Sequence, residues 1–106
     1  MTEKFMWEIL VPTVRNDGRP FHLRYHRVWD ARVKDISGGM TIVTPVNGAW
    51  ISDDGHEYRE RMIPVRIMCD REQIVKIAEM SKVYYDQLAI MVYKISDDCF
   101  HICIVE

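Results

Sequence analysis

Basic side chains cluster between residues 15 and 34, and this cluster is the clearest chemical signal in the sequence. The segment holds six lysine or arginine residues against two acids, with a third acid, Asp35, directly after it, and His22 and His26 add to it. Its first part is a loop that leads into a helix, and a helix N-terminus presents free N–H groups that favour an anion. Arginine adds bidentate hydrogen bonds to phosphate or carboxylate. The alternative is that these charges simply solvate an exposed loop and helix.

A second basic pair, Arg59 and Arg61, lies on one face of a later strand, because strand side chains two residues apart point the same way. These guanidinium groups could clamp an anion. They could equally pair with the acids of the adjacent turn and form a charged edge that discourages aggregation. The sequence therefore predicts a site for a small anionic ligand, nucleotide-like or carboxylate, at Arg15, Arg19, His22, His26, Arg59 and Arg61.

Two groups of residues have spacings that a metal ion could use. His22 and His26 are four apart on a predicted helix, and Cys99, His101 and Cys103 share one face of a predicted strand. Each group offers fewer ligands than the usual four of a structural zinc site. We therefore predict no metal and no cofactor.

Enzyme signatures are scarce in the sequence. It contains no glycine-rich phosphate loop, no HExxH and no GxSxG segment. His26 lies one helical turn before Asp30, a spacing that suits either an oriented general base or an ordinary exposed pair. The sequence as a whole favours a protein that is not an enzyme.

The composition is that of one folded domain over residues 1–106. Hydrophobic residues make up 48% of the chain and charged residues 28%, which is typical of globular proteins. A net charge of -2 gives no signal for nucleic acid or an anionic membrane. The sequence has no apolar run long enough to span a membrane and no signal-peptide pattern at its N-terminus. Three cysteines without a regular framework fit a reducing compartment, so we expect a cytoplasmic protein.

Hydrophobic periodicity divides the chain into extended and helical segments. Strands are predicted at residues 5–11, 40–44 with 49–51, 58–68, 88–95 and 99–105, and helices at 22–36 and 70–85. This order is the ferredoxin-like βαββαβ arrangement with an extra C-terminal strand. The predicted fold is therefore α+β, with two helices on one face of a mostly antiparallel sheet.

Local signals mark where these elements begin, end or bend. Asp70 and Gln73 form a capping-box pattern at the start of the second helix, and Gly38 suits the left-handed conformation that ends the first. Pro45 predicts an edge strand or a bulge, because proline has no N–H to donate. Pro64 predicts either an interruption of the long strand or a stretch where that strand has no neighbour on one side.

The sheet face away from the predicted helices is too apolar to be wholly exposed to water. Met6, Leu10, Met62 and Met68 fall on this face by alternation. An exposed apolar patch of this kind is typical of an interaction surface. We therefore predict a homodimer formed through the sheet face or through strand pairing.

The middle third of the chain contains Trp29-Asp30, Ile36-Ser37-Gly38-Gly39-Met40-Thr41-Ile42 and Gly48-Ala49-Trp50. This is a helix, a glycine before a short β run, and then Gly-x-Trp. The arrangement resembles that of a family of small uncharacterised bacterial and tailed-phage proteins. The resemblance implies a shared central hairpin and a common origin, and it implies no activity.

Three functions are open at the level of sequence. The first is a non-enzymatic, oligomeric binding or interaction module, phage-encoded and acting on a host component. The second is a binder of a small anionic ligand at the basic residues named above. The third is a cofactor-free enzyme of the dimeric α+β barrel type, which requires an apolar pocket between the sheet and the helices with a polar group inside it.

Overall fold

The computed structural model describes residues 3–102, which form five antiparallel strands and two helices. The elements are β1 (Phe5–Pro12), α1 (Leu23–Ser37), β2 (Thr41–Ile42), β3 (Val46–Ile51), β4 (Glu57–Cys69), α2 (Arg71–Tyr84) and β5 (Val92–Ser96). The predicted α+β class and ferredoxin-like order are confirmed.

The sheet is built around β1 and β4, which are adjacent and antiparallel over their whole shared length, with Ile9 opposite Val65. β5 pairs with the free side of β1. β2 and β3 both pair with the other side of β4, one after the other along its length. Each helix therefore connects strands that are separated by one strand in the sheet, which places both helices on the same face.

The core lies between that face and the helices. Alternate residues of β1 and β4 point into it, as their spacing predicts, and Ile9 and Ile67 are fully buried there. From the helices, Trp29 and Ile77 complete the core. The indole Nε1 of Trp29 donates a hydrogen bond of 2.8 Å to Ser81 Oγ, so the two helices are joined by a polar contact as well as by packing.

The start of α2 and the end of α1 have the local structures that their sequences predict. The Asp70 side chain accepts a hydrogen bond from the Gln73 N–H (2.8 Å), and the Gln73 side chain accepts one from the Asp70 N–H (3.0 Å), which is the predicted capping box. Gly38 adopts the left-handed conformation with φ of 87° and ends α1. Among residues 3–102, neither helix is long and apolar enough to cross a membrane.

Proline accounts for the irregular edge beside β4. The predicted strand after α1 is split into β2 and β3, with Pro45 immediately before β3. β4 runs without interruption through Pro64, which lies opposite Leu10 of β1. On its other side Pro64 lies at the gap between β2 and β3, where its carbonyl accepts a hydrogen bond from Val43 N–H. Two alternatives were predicted for Pro64, and the structure supports the second: a stretch of β4 that has no neighbouring strand on one side.

The C-terminal part of the chain departs from the prediction. β5 begins at Val92, so residues 88–91 lie outside the strand that was predicted to start at Leu88. Residues 99–102 of the predicted extra strand pair with no other strand, and 103–105 lie outside the described residues. Strong β-formers had indicated a strand in both places, but a strand also requires a neighbour to receive its hydrogen bonds.

Candidate functional site

A cavity of about 320 Å³ opens on the sheet face away from the helices. It lies between the β3–β4 hairpin and residues 87–91, the segment that leads into β5. Leu10, Met62 and Met91 provide apolar walls, and Trp50 and Glu60 also line it. We call it the Glu60 cavity. Its lining is mostly apolar with one carboxylate, which is the usual character of a small-molecule site.

Gly48 makes room for this cavity. It lies in β3 directly opposite Glu60 of β4, and a Cβ atom built on it would overlap the terminal methyl group of Met62. A larger residue at this position would therefore push the flexible Met62 side chain away from its present place against β3. The small residue is explained by this close approach, because Gly48 has no left-handed backbone angle that would require glycine.

The polar and aromatic groups of the Glu60 cavity come from neighbouring positions of the hairpin. Trp50 and Tyr58 are partners across the strands, and their rings stack with centroids 4.6 Å apart and planes 16° apart. This stacking holds Trp50 at the cavity wall. The half-buried carboxylate of Glu60 has no hydrogen-bond or ion-pair partner among residues 3–102. The cavity thus combines an aromatic surface, thioether and aliphatic walls, and an unpaired negative charge.

The predicted anion residues of the first loop lie together but differ in their partners. Arg19 forms an ion pair with Asp17 at 2.7 Å, and this pairing lowers the pKa of the Asp17 carboxyl below its usual value. The Arg15 guanidinium lies 4.7 Å from the ring centroid of Phe21. Arg15 and His22 line a shared open groove of about 630 Å³ at the start of α1.

His26 is directed to the helix–helix contact. Its Nδ1 is 2.7 Å from the hydroxyl of Tyr85, which follows α2 and is buried. The predicted partner Asp30 influences it only electrostatically. Burial lowers the pKa of His26, and the negative charge of Asp30 partly opposes that change.

Arg59 and Arg61 lie in a different part of the molecule. They line a cleft of about 510 Å³ along the β3–β4 hairpin, together with Asn47. Arg59 also lies 3.6 Å from Glu57. The six predicted residues are therefore distributed over the first loop, the helix–helix contact and the hairpin, and neither the groove nor the cleft is lined by residues from all three. Binding of an anion by any of them stays a prediction.

The contact between His26 and Tyr85 should make stability depend on pH. Because burial holds the pKa of folded His26 below its usual value of 6.5, the unfolded chain takes up a proton at a higher pH than the folded protein. We expect the free energy of unfolding to be retained above about pH 7.5 and to fall as the pH is lowered to about 5.5. Asp30, whose pKa burial raises, acts in the opposite direction: as the pH rises past about 4, its carboxyl ionises first in the unfolded chain, which lowers the free energy of unfolding.

Urea unfolding curves at several pH values would measure this effect. His26→Gln should flatten the pH dependence between about pH 7.5 and 5.5, whereas His56→Gln, at the exposed hairpin tip, should leave it as in the parent. If the free energy of unfolding depends on pH equally in the parent and in His26→Gln, the pH dependence does not come from His26.

The two cysteines within residues 3–102 are free thiols. Cys69 is buried and Cys99 partly exposed, and the two are not bonded to each other. Burial raises the pKa of the Cys69 thiol to about 11. Within residues 3–102, no group of three or more His, Cys, Asp or Glu side chains is placed to hold a metal ion. Cys103 lies outside the described residues.

Sequence reasoning missed the Glu60 cavity, although part of the signal was present. Alternation places Glu60 on the same face as Met62, away from the helices, and glycine at position 48 favours a bend in the strand beside them. The other wall comes from residues 87–91, most of which had been assigned to a strand. Because the position of this segment was not predicted, the hairpin residues were interpreted as an edge of the sheet and not as one side of a pocket.

Comparisons with known proteins show similarity of fold. No protein-family model matches the sequence, and a search of curated proteins gives no match. Three solved structures illustrate the likeness. The divalent cation tolerance protein CutA1 from Thermus thermophilus is 11% identical, with a TM-score of 0.63 over 87% of this chain and 82% of that one. CutA1 from Oryza sativa is 9% identical, with a TM-score of 0.66 over 94% and 84%.

The third similar structure is a phage SAM lyase in complex with S-methyl-5'-thioadenosine. It is 13% identical, with a TM-score of 0.66 over 91% of this chain and 92% of that one. At these identities the likeness shows the fold alone.

Proposed function

We propose that this protein is an oligomeric small-molecule-binding module whose ligand occupies the Glu60 cavity. The proposed ligand is a nucleoside that carries a thioether or sulfonium group. The observation that carries the proposal is the unpaired Glu60 carboxylate in an otherwise largely apolar cavity, beside the stacked Trp50 and Tyr58 rings. A carboxylate that has no protein partner is free to receive a cation or a hydrogen-bond donor from a ligand.

The chemistry of the cavity fits the two parts of such a ligand. A purine can stack on Trp50, and apolar walls such as Met62 and Leu10 accept an S-methyl group. A sulfonium cation would be attracted both by the Glu60 charge and by an aromatic face. The likeness to the phage SAM lyase bound to S-methyl-5'-thioadenosine supports this ligand class, since one known protein of this fold holds such a molecule.

Calorimetric titration with S-adenosylmethionine and with S-methyl-5'-thioadenosine tests the proposal. Glu60→Gln removes the negative charge but keeps the shape, so the positively charged sulfonium should bind at least about tenfold more weakly. The neutral thioether should lose much less affinity. Glu57→Gln is the matched control, because Glu57 lies on the same strand but outside the cavity wall.

Two results would count against the cavity as the ligand site. One is that neither ligand binds the parent protein. The other is that Glu60→Gln and Glu57→Gln weaken sulfonium binding to the same extent.

Catalysis at the same cavity is the second candidate function. A carboxylate without an ion pair, set in apolar walls, is suited to act as a general base, and this is the apolar pocket with a polar group that a cofactor-free enzyme requires. The pocket lies on the open sheet face rather than between sheet and helices. Chromatographic detection of S-methyl-5'-thioadenosine released from S-adenosylmethionine would separate catalysis from binding alone.

Oligomerisation through the edge of the sheet at β5 is part of the proposal. Large apolar side chains are exposed along β5 and the segment after it, with Ile95 exposed by 45%, Phe100 by 73% and Ile102 by 84%. Contact with another copy would remove this surface from water. A homodimer, a cytoplasmic location and a phage origin remain proposals. Light scattering measures the oligomeric state.

Anion binding at the first loop remains an alternative, and fewer observations support it than support binding at the Glu60 cavity. Its support is the groove shared by Arg15, His22 and Arg24, whose lining contains no acidic residue. Arg15 is also held in place by the Phe21 and Tyr25 rings rather than by an acid. A thermal-shift screen with nucleotides and small acids, repeated on Arg15→Gln, would measure whether this groove binds an anion.

A further inference from the structure

We propose that a second cavity, at the other end of the open sheet face, binds a phosphate group through Arg66 and Lys4. This cavity has a volume of about 360 Å³ and lies where β1 begins and where the turn after α1 leads into β2. We call it the Arg66 cavity. It shares no lining residue with the Glu60 cavity, so this inference does not depend on the proposed function.

The charges that line the Arg66 cavity are all basic. Lys4, Arg66 and His101 contribute, and no aspartate or glutamate belongs to the lining. They come from three separate parts of the chain: the residue before β1, the middle of β4 and the segment after β5. Convergence of basic groups from distant segments surrounds an ion from several sides, which suits an anion with several oxygen atoms.

A buried carboxylate orients Arg66. Arg66 Nε donates a hydrogen bond of 3.1 Å to Oε1 of Glu8, which is only 7% exposed. The other carboxylate oxygen of Glu8 accepts a hydrogen bond from the hydroxyl of Tyr93. Glu8 is therefore fixed from both sides, and it contacts the guanidinium only through Nε.

The free edge of Arg66 is what makes this arrangement suited to a ligand. Its terminal Nη1 and Nη2 groups have no hydrogen-bond acceptor among residues 3–102. Those two groups can form the parallel pair of hydrogen bonds with which arginine binds phosphate. Because Glu8 already restricts the guanidinium, binding costs less side-chain entropy than it would for a freely rotating arginine. Glu8 offsets one positive charge, and Lys4 leaves the cavity net positive.

Backbone donors of the turn after α1 add to the basic groups. Gly39 and Met40 line the cavity, and neither N–H donates to an acceptor among residues 3–102. The Ser37 hydroxyl lies within hydrogen-bond distance of the Val33 and Gly39 carbonyls (2.9 and 3.0 Å) and shares its single donor between them, which fixes the course of this turn. Unpaired backbone N–H groups in a turn are favourable partners for an anion.

Calorimetry and ³¹P NMR with inorganic phosphate and with pyrophosphate, at low and constant ionic strength, test the inference on the full chain. Lys4→Gln and Arg66→Gln should each weaken binding at least about fivefold, which is roughly 1 kcal/mol. Arg27→Gln is the matched control, because it removes the same charge from an exposed position on α1 that lines none of these cavities, and it should change affinity less than twofold. Succinate serves as the carboxylate probe and should bind more weakly than pyrophosphate.

The variants also distinguish the Arg66 cavity from the first loop as the place where the anion binds. Arg66→Gln leaves Glu8 without its arginine, so Lys4→Gln provides a test that disturbs no buried group. Absence of phosphate binding to the parent overturns the inference. So does equal binding by Lys4→Gln and Arg27→Gln. Loss of binding in Arg15→Gln alone would also overturn it, because that result assigns the anion to the first loop.

Discussion

Replacing Trp29 with alanine is expected to lower the free energy of unfolding by about 3–5 kcal/mol. Trp29 is 1% exposed at the centre of the core, where its ring packs beside Tyr85 with centroids 6.0 Å apart. The substitution removes the largest buried side chain of α1 and leaves a cavity that the surrounding helices and sheet cannot fully close. It also removes the donor of the hydrogen bond to Ser81. Since a domain of this kind is stable by only about 5–15 kcal/mol, the loss is a large fraction of the total.

Two further variants separate the packing and hydrogen-bond contributions. Trp29→Phe should lower the free energy of unfolding by less than Trp29→Ala does, because it loses only the hydrogen bond and part of the ring. Val28→Ala changes a neighbour that is 43% exposed and should cost no more than about 1 kcal/mol. Urea unfolding with all three proteins is the measurement. A Trp29→Ala cost no larger than that of Val28→Ala would mean that Trp29 does not occupy the core.

The half of the fold that faces the helices could be predicted because its signals are periodic and local. Alternation in β1 places Trp7 and Ile9 on the buried face, and the structure confirms it. The Asp70–Gln73 capping box depends on two residues three positions apart and was confirmed as predicted. In each case the interactions that decide the structure lie within one element or on one face of it.

The edges of the sheet could not be predicted in the same way, because pairing depends on residues that are distant in sequence. The run from Leu88 to Ile95 has the same β-forming character throughout, yet only its second half pairs with β1. Leu10 N–H still donates to the Met91 carbonyl, so the first half stays beside β1 without continuing the ladder. This short departure from the sheet supplies the second wall of the Glu60 cavity.

The candidate site was hard to predict for a related reason. His22 and His26 are one helical turn apart, which made them a natural pair in the sequence. In the structure His26 contacts Tyr85, which is 59 positions away, whereas His22 lines the open groove. Proximity along the chain grouped these two histidines, but the groups that each of them contacts are supplied by other elements.

Filling the Glu60 cavity should weaken binding of the proposed nucleoside ligand without affecting the core. Ala89 lines the cavity and is exposed, so a larger side chain there can enter the cavity without displacing buried groups. In Ala89→Trp the indole would take the place of a stacked purine against Trp50. We expect the affinity for S-methyl-5'-thioadenosine to fall at least about tenfold, which corresponds to about 1.4 kcal/mol, and the affinity for phosphate to be unchanged.

Val83→Trp is the matched control for Ala89→Trp, because it adds the same side chain to α2 at a position that is 82% exposed and outside the Glu60 cavity. Both variants should unfold at about the same urea concentration as the parent, since neither position is part of the core. Calorimetry then compares their affinities for the nucleoside and for phosphate. If Ala89→Trp binds the nucleoside as tightly as Val83→Trp does, the ligand does not occupy the Glu60 cavity. If Ala89→Trp loses the nucleoside and phosphate together, the two cavities are not independent sites.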